Sequence, residues 1–162
     1  MIGTLGPIQG MPVIREFWMD ANPGLISTIE SWIGDFTTLE SLSLAYNSLS
    51  GQLPFELGRL TYLKQLWLFG NNFTGKFPSQ IGSLNDLAVL QLEGNSLEGW
   101  VPPTICEKTE FPALTLKSFG ADCYDDGFWC PCCTCCDLGE CVAVSSSSAR
   151  KERKEHRNYL RR

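Results

Sequence analysis

The chain has 162 residues, 43% hydrophobic and 19% charged, a balance that suits one small globular core. No apolar run approaches the roughly 18 residues of a membrane-spanning helix, so no such span is expected in this chain. Residues 1–148 carry six Lys+Arg against sixteen Asp+Glu, a net of −10, and residues 149–162 carry seven against two, a net of +5. An acidic body repels a polyanion, which argues against nucleic acid as partner.

The opening segment, Met1-Ile-Gly-Thr-Leu-Gly-Pro7, has the look of half a repeat with no cap before it. No secretory n-region and h-region precede it, so a truncated N-terminus is expected, with cover by a partner as the alternative. Ile14, Phe17, Met19 and Asn22 then open a degenerate repeat over 14–38, with one residue inserted at Pro23-Gly24-Leu25. Leu39, Leu42, Leu44, Asn47, Leu49, Gly51, Leu53 and Pro54 follow. They recur 24 residues later as Leu63, Leu66, Leu68, Asn71, Phe73, Gly75, Phe77 and Pro78. They recur again as Leu87, Leu90, Leu92, Asn95, Leu97, Gly99, Val101 and Pro102.

Eight positions thus match in register across 39–62, 63–86 and 87–110. A period in the twenties with L-x-x-L-x-L-x-x-N marks an α/β-type leucine-rich-repeat solenoid over 1–105. Short parallel strands would line its concave face, with loops and 3-10 turns on the convex face. Two leucines two apart point to one side of a strand, and stacking turns buries them as a column. Each turn asparagine can bond backbone groups freed by the bend, so Asn47, Asn71 and Asn95 should form an amide ladder. The glycine after it permits φ > 0 at the next bend, and the proline ends strand pairing.

After Pro102 two registers compete for the last strand: Phe111, Leu114 and Leu116, or Leu116, Phe119 and Ala121. Cys106, Cys123, Cys130, Cys132, Cys133, Cys135, Cys136 and Cys141 all fall in 106–144. An even count at one end of a solenoid reads as a disulfide-rich C-terminal cap, which shields a leucine face that would otherwise be exposed. The alternative is a thiolate cluster for a soft metal, since Cys130-Pro-Cys-Cys-Thr-Cys-Cys136 offers closely spaced sulfurs. Disulfides are favoured, because the only histidine, His156, lies in the tail and the zinc spacing is blurred. No metal or other cofactor is expected. Residues 145–162 read as a serine linker and a basic disordered tail.

With the repeats, Asn-x-Leu-x-Gly-x-x-Pro and the cysteines in view, residues 12–141 resemble the plant-type extracellular leucine-rich-repeat family. Leu63 to Pro78 carries the motif most fully. Leu116-Lys-Ser-Phe-Gly-Ala-Asp-Cys123 and the cysteine run after it are most similar to the cysteine-capped repeat proteins of diatoms. That likeness selects the Leu116/Phe119/Ala121 register. It implies a non-enzymatic, extracellular or cell-surface recognition module for a protein, peptide or glycan, as in receptor-like proteins. An inhibitor of a secreted hydrolase is the alternative. A kinase signature is missing, and no nucleophile–base pair or phosphate loop is recognisable, so no catalytic residue is named.

Strand positions that are not buried leucines should face the concave surface. Trp18, Gln65, Trp67 and Gln91 fall there, with Asp20, Phe69 and Glu93 just after the second buried position and Tyr46 before its asparagine. Trp67 and Phe69 are the centre of an expected ligand-binding cluster with a polar rim. Asn72-Phe-Thr74 is a glycosylation sequon expected at an exposed bend. Trp32, Trp100 and Trp129 are read as local packing or cap residues.

Overall fold

The computed structural model describes residues 13–110, 113, 115–122, 128–130, 132 and 133. Expectations for 1–12, for Cys123, Cys135, Cys136 and Cys141, and for the tail lie outside these residues.

Each L-x-x-L-x-L segment forms a three-residue strand. The strands are β1 (Glu16–Trp18), β2 (Ser41–Ser43), β4 (Gln65–Trp67), β6 (Val89–Gln91) and β8 (Ser118–Gly120). They pair in parallel in the order β1-β2-β4-β6-β8. Phe17, Leu42, Leu66, Leu90 and Phe119 stand opposite one another across the sheet. The degenerate first repeat is therefore a true coil, and the last strand takes the Leu116/Phe119/Ala121 register. Phe119 lies 29 positions after Leu90 rather than 24, so five extra residues are accommodated before the coil closes.

The other side of the coil differs from the expected loops. Besides 3-10 turns at Ser31–Asp35, Phe55–Arg59 and Ser79–Ser83, a second parallel sheet runs along it. Its strands are β3 (Ser50–Gln52), β5 (Asn72–Lys76), β7 (Ser96–Trp100) and β9 (Phe128–Trp129), in that order. Gly51, Gly75 and Gly99, expected at bends, sit inside or at these strands with φ of 82°, 75° and 87°. Inward Leu49, Phe73 and Leu97 alternate with polar outward residues, a period of two that satisfies a half-buried strand. The left-handed glycine bends each strand without ending its pairing. Asn72 consequently lies on β5, exposed, and not at a bend. Trp100 is 56% exposed at the end of β7, more open than local packing alone implies. Trp32 packs edge-to-face on Phe36, with ring centroids 5.7 Å apart.

The core is a set of columns. Leu39, Leu63 and Leu87, Leu44, Leu68 and Leu92, and Leu57, Ile81 and Ile105 are at most 1% exposed. At about 25 cal/mol per Å² of apolar area, such side chains each contribute about 1.5–3 kcal/mol, and only neighbouring coils make the burial possible. The column of Leu60 and Leu84 ends in Lys108, buried to 8% exposure, whose Nζ donates to Asn85 Oδ1 at 3.2 Å.

The asparagine ladder forms as expected. Asn71 Nδ2 donates to Leu44 O at 2.9 Å and Leu68 O at 3.0 Å, and its Oδ1 accepts from Leu49 N at 3.1 Å. Asn95 does the same for Leu68 O, Leu92 O and Phe73 N. Asn47 bonds Met19 O and Leu44 O, but its Oδ1 accepts from Asn22 N, because the inserted residue reshapes the first bend. At the closing end the Asp122 carboxylate accepts from Gly94 N and Asn95 N at 2.9 and 3.0 Å.

Cys106, at the end of α1 (Pro103–Cys106), is bonded to Cys132, and Cys130 is bonded to Cys133. These bonds tie the segment after β9 to the last convex turn. They also oxidise three sulfurs of the Cys-Pro-Cys-Cys run, which removes them as thiolate donors and counts against the soft-metal alternative.

Candidate functional site

The concave sheet is floored by small residues at β2. Ser41, Ser43 and Ala45 are 5%, 4% and 2% exposed, because large side chains from the strands on either side lean over them. Trp18 and Trp67 flank Ser43 in register and meet edge-to-face with centroids 6.1 Å apart. Phe69, two residues after Trp67, and Tyr46, three after Ser43, make a second T-shaped pair with centroids 4.8 Å apart. Trp18 and Tyr46 nevertheless stay 61% and 56% exposed. The four rings, with Asp20, Ser43 and Ala45, line an open depression of about 320 Å³.

Polar contacts hold this surface in place. Trp18 Nε1 donates to Ser41 Oγ at 3.1 Å, and Ser41 Oγ in turn donates to Gln65 Oε1 at 3.3 Å. Asp20 Oδ1 accepts from Ser43 Oγ at 2.6 Å and from Ala45 N at 2.9 Å. Tyr46 occupies a left-handed backbone conformation, φ 54°, at the position where the next two coils place Gly70 and Gly94, both at φ 66°. A side chain there costs about 1–2 kcal/mol relative to right-handed backbone. A Cβ on Gly70 would come within 2.8 Å of the Tyr46 ring, so the neighbouring glycine makes room for it.

The eight residues expected to bind ligand fall into two groups. Trp18, Asp20, Tyr46, Trp67 and Phe69 line the depression, with Gln65 held beside it through Ser41. Gln91 and Glu93 form a separate polar group toward β8. Oriented to satisfy both neighbours, the Gln91 amide donates to Glu93 Oε1 at 2.7 Å and accepts from Ser118 Oγ at 2.8 Å. Glu93, expected at an exposed rim, is only 5% exposed. The physical reason is Gly120 in the adjacent coil: a Cβ there would collide with the Glu93 carboxylate, and its absence lets the carboxylate fold down against the sheet. Burial, with lesser repulsion from Asp122, holds the Glu93 carboxyl above the usual carboxylate range, against backbone hydrogen bonds that lower it. Ser43 and Asp122 went unnamed among the expected site residues. A small residue between two tryptophans in successive coils was the available signal for the first. The acid directly after Ala121, in register with Glu93 of the preceding coil, is the signal for the second.

The Leucine Rich Repeat family model matches residues 38–60 and 62–84. A search of curated protein sequences returns no match. Solved structures similar to this chain include a plant ice-binding protein, 29% identical over 74% of this chain and 36% of that one, with a TM-score of 0.60. The plant peptide hormone receptor RGFR1 in complex with RGF2 is 35% identical over 67% of this chain and 18% of its own, with a TM-score of 0.55. The ectodomain of the receptor kinase SOBIR1 from Arabidopsis thaliana is 29% identical, covering 65% and 56% of the two chains, with a TM-score of 0.60. The chain thus spans between about a fifth and just over half the length of these proteins. Among the described residues no helix is long and apolar enough to cross a membrane. Repeat spacing, stacked parallel strands, the amide ladder and these likenesses agree: the chain is a leucine-rich-repeat solenoid with a disulfide-bonded C-terminal segment, built like the ectodomains of plant receptors.

Proposed function

We propose that this chain is a non-enzymatic recognition module, placed outside the cell or at its surface, whose concave sheet binds a protein or peptide as part of a receptor-like protein. One observation carries the reading: four aromatic rings converge on an open face of a sheet whose own core is already filled beneath them. Exposed rings held together on a rigid floor have the make-up of a binding hot spot. The receptor likeness, one example being in complex with its peptide, points the same way. The closing segment's resemblance to diatom repeat proteins and the exposed sequon at Asn72 fit a secreted or anchored chain. Inhibition of a secreted hydrolase is a special case, in which the partner is an enzyme.

Trp67→Ala is the direct test. It should weaken binding of a partner isolated with the parent protein by about 2 kcal/mol, roughly thirty-fold, while thermal unfolding stays close to the parent's. Equal affinity for variant and parent overturns the placement of the site.

A further inference from the structure

We propose that the depression between β1, β2 and β4 is a cation cage, and that the bound partner presents an arginine side chain to it. The inference deepens the recognition reading above and rests on it.

The lining supplies both halves of cation recognition. Trp18, Trp67, Tyr46 and Phe69 offer ring faces, which carry the negative part of the aromatic quadrupole. In an edge-to-face pair only one of the four ring faces is covered by the partner ring, and Trp18 and Tyr46 stay more than half exposed, so each pair keeps ring surface open. Asp20 adds a fixed negative charge among them. Its Oδ1 takes both of its hydrogen bonds, from Ser43 Oγ and Ala45 N, while Oδ2 accepts none among the described residues. One oxygen therefore anchors the carboxylate and the other is left to a guest.

Charge complementarity points in one direction. Strands β1, β2, β4, β6 and β8 contain no Lys or Arg. Of the cations that border them, Arg15 and Lys64 are both engaged by Glu40 at 3.3 and 2.7 Å, and Lys117 stands before β8, two strands beyond the depression. Glu16 on β1 adds a further exposed negative charge. A purely apolar guest would cover the Asp20 carboxylate without pairing it, which is unfavourable, and an anion would be repelled. Among cations the guanidinium fits best. It is planar and weakly hydrated, and it can lie flat on a ring while its N–H fork reaches a carboxylate. A depression of about 320 Å³ is of the size that takes one long side chain and excludes a folded domain.

The test uses the full chain labelled with ¹⁵N and three acetylated, amidated pentapeptides: Ser-Gly-Arg-Gly-Ser, the same with citrulline for arginine, and the same with phenylalanine. Titrations follow the indole N–H signals, with Trp18 and Trp67 assigned from Trp18→Phe and Trp67→Phe. The arginine peptide should move both signals, and the uncharged citrulline peptide of nearly the same shape should bind at least about ten-fold more weakly. Asp20→Asn keeps an oxygen for Ser43 and Ala45. It should cost the arginine peptide about five-fold and leave the citrulline peptide unchanged. Equal binding of arginine and citrulline, tighter binding of phenylalanine, or an equal effect of Asp20→Asn on both overturns the cage, while an occupied face keeps the recognition reading. If no peptide moves either indole, both fail.

Discussion

Asn71 commits its whole side chain to the backbone of two neighbouring coils, with its Nδ2 on Leu44 O and Leu68 O and its Oδ1 on Leu49 N. Replacing it by alanine leaves these buried groups without partners, a loss of about 1–3 kcal/mol. Denaturant unfolding of Asn71→Ala should show that decrease, and an unchanged midpoint would mean that water reaches the bend. This role was legible in the sequence because the amide answers a local need at a fixed spacing. The aromatic cluster was half legible: alternation placed Trp18, Trp67 and Phe69 on one face, and Tyr46 was marked only as the residue before its turn asparagine. Their edge-to-face contacts, and the way Ser43 lets two indoles meet, arise only when three coils stack. Nor does the sequence announce that Tyr46 takes a glycine's backbone conformation, since φ is decided by the bend around it.

At the scale of elements, the concave strands could be read almost to the residue, because each contains the paired leucines of one motif. The second sheet could not. A glycine followed by a proline signals a turn, whereas here the glycine bends a strand that goes on pairing before the proline stops it. The same limit hid the burial of Glu93, which depends on Gly120 arriving from the next coil. That burial has a measurable consequence. With its carboxyl raised above the ordinary value of 4.5, the folded protein holds a proton there, at pH between the unfolded and folded values, that the unfolded chain has released. Stability from this group is therefore present at low pH and falls as pH rises through the window between the unfolded and folded values. Glu93→Gln, which keeps an acceptor for Gln91, should be more stable than the parent at pH 7 and lose that advantage below the carboxylate range. Denaturation of both proteins at pH 4 and pH 7 checks this. A constant difference at the two pH values would assign the effect to packing and not to protonation.

For the molecule as a whole, the two disulfides among the described residues act where the solenoid runs out of repeats. Cys106–Cys132 closes a loop with a sequence separation of 26, a constraint of the kind that contributes about 2–4 kcal/mol. Such bonds persist in an oxidising compartment, the same one in which Asn72 would meet the glycosylation machinery. Intact mass of protein from a secreting eukaryotic host, alkylated while denatured but unreduced, should show no label at Cys106, Cys130, Cys132 or Cys133. It should also show a glycan that is lost with Asn72→Gln. Labelled thiols at those four positions would overturn the extracellular reading. That cysteines gather at one end could be read directly from the chain. Their pairing could not, because it depends on how α1 and the residues around β9 approach in space.

The amide ladder also says how a chain of this kind can change its length. Asn71 and Asn95 each reach back to the coil before and leave the same unfilled positions for the coil after. A stretch of 24 residues cut at any point between β2 and β7 therefore begins and ends in the same orientation. Duplicating such a stretch adds one rung and one leucine layer, with no seam and no new kind of contact. The aromatic depression is confined to the coils of β1, β2 and β4, and the disulfides to the far end. The span between them can grow or shrink in whole turns while recognition and closure stay as they are.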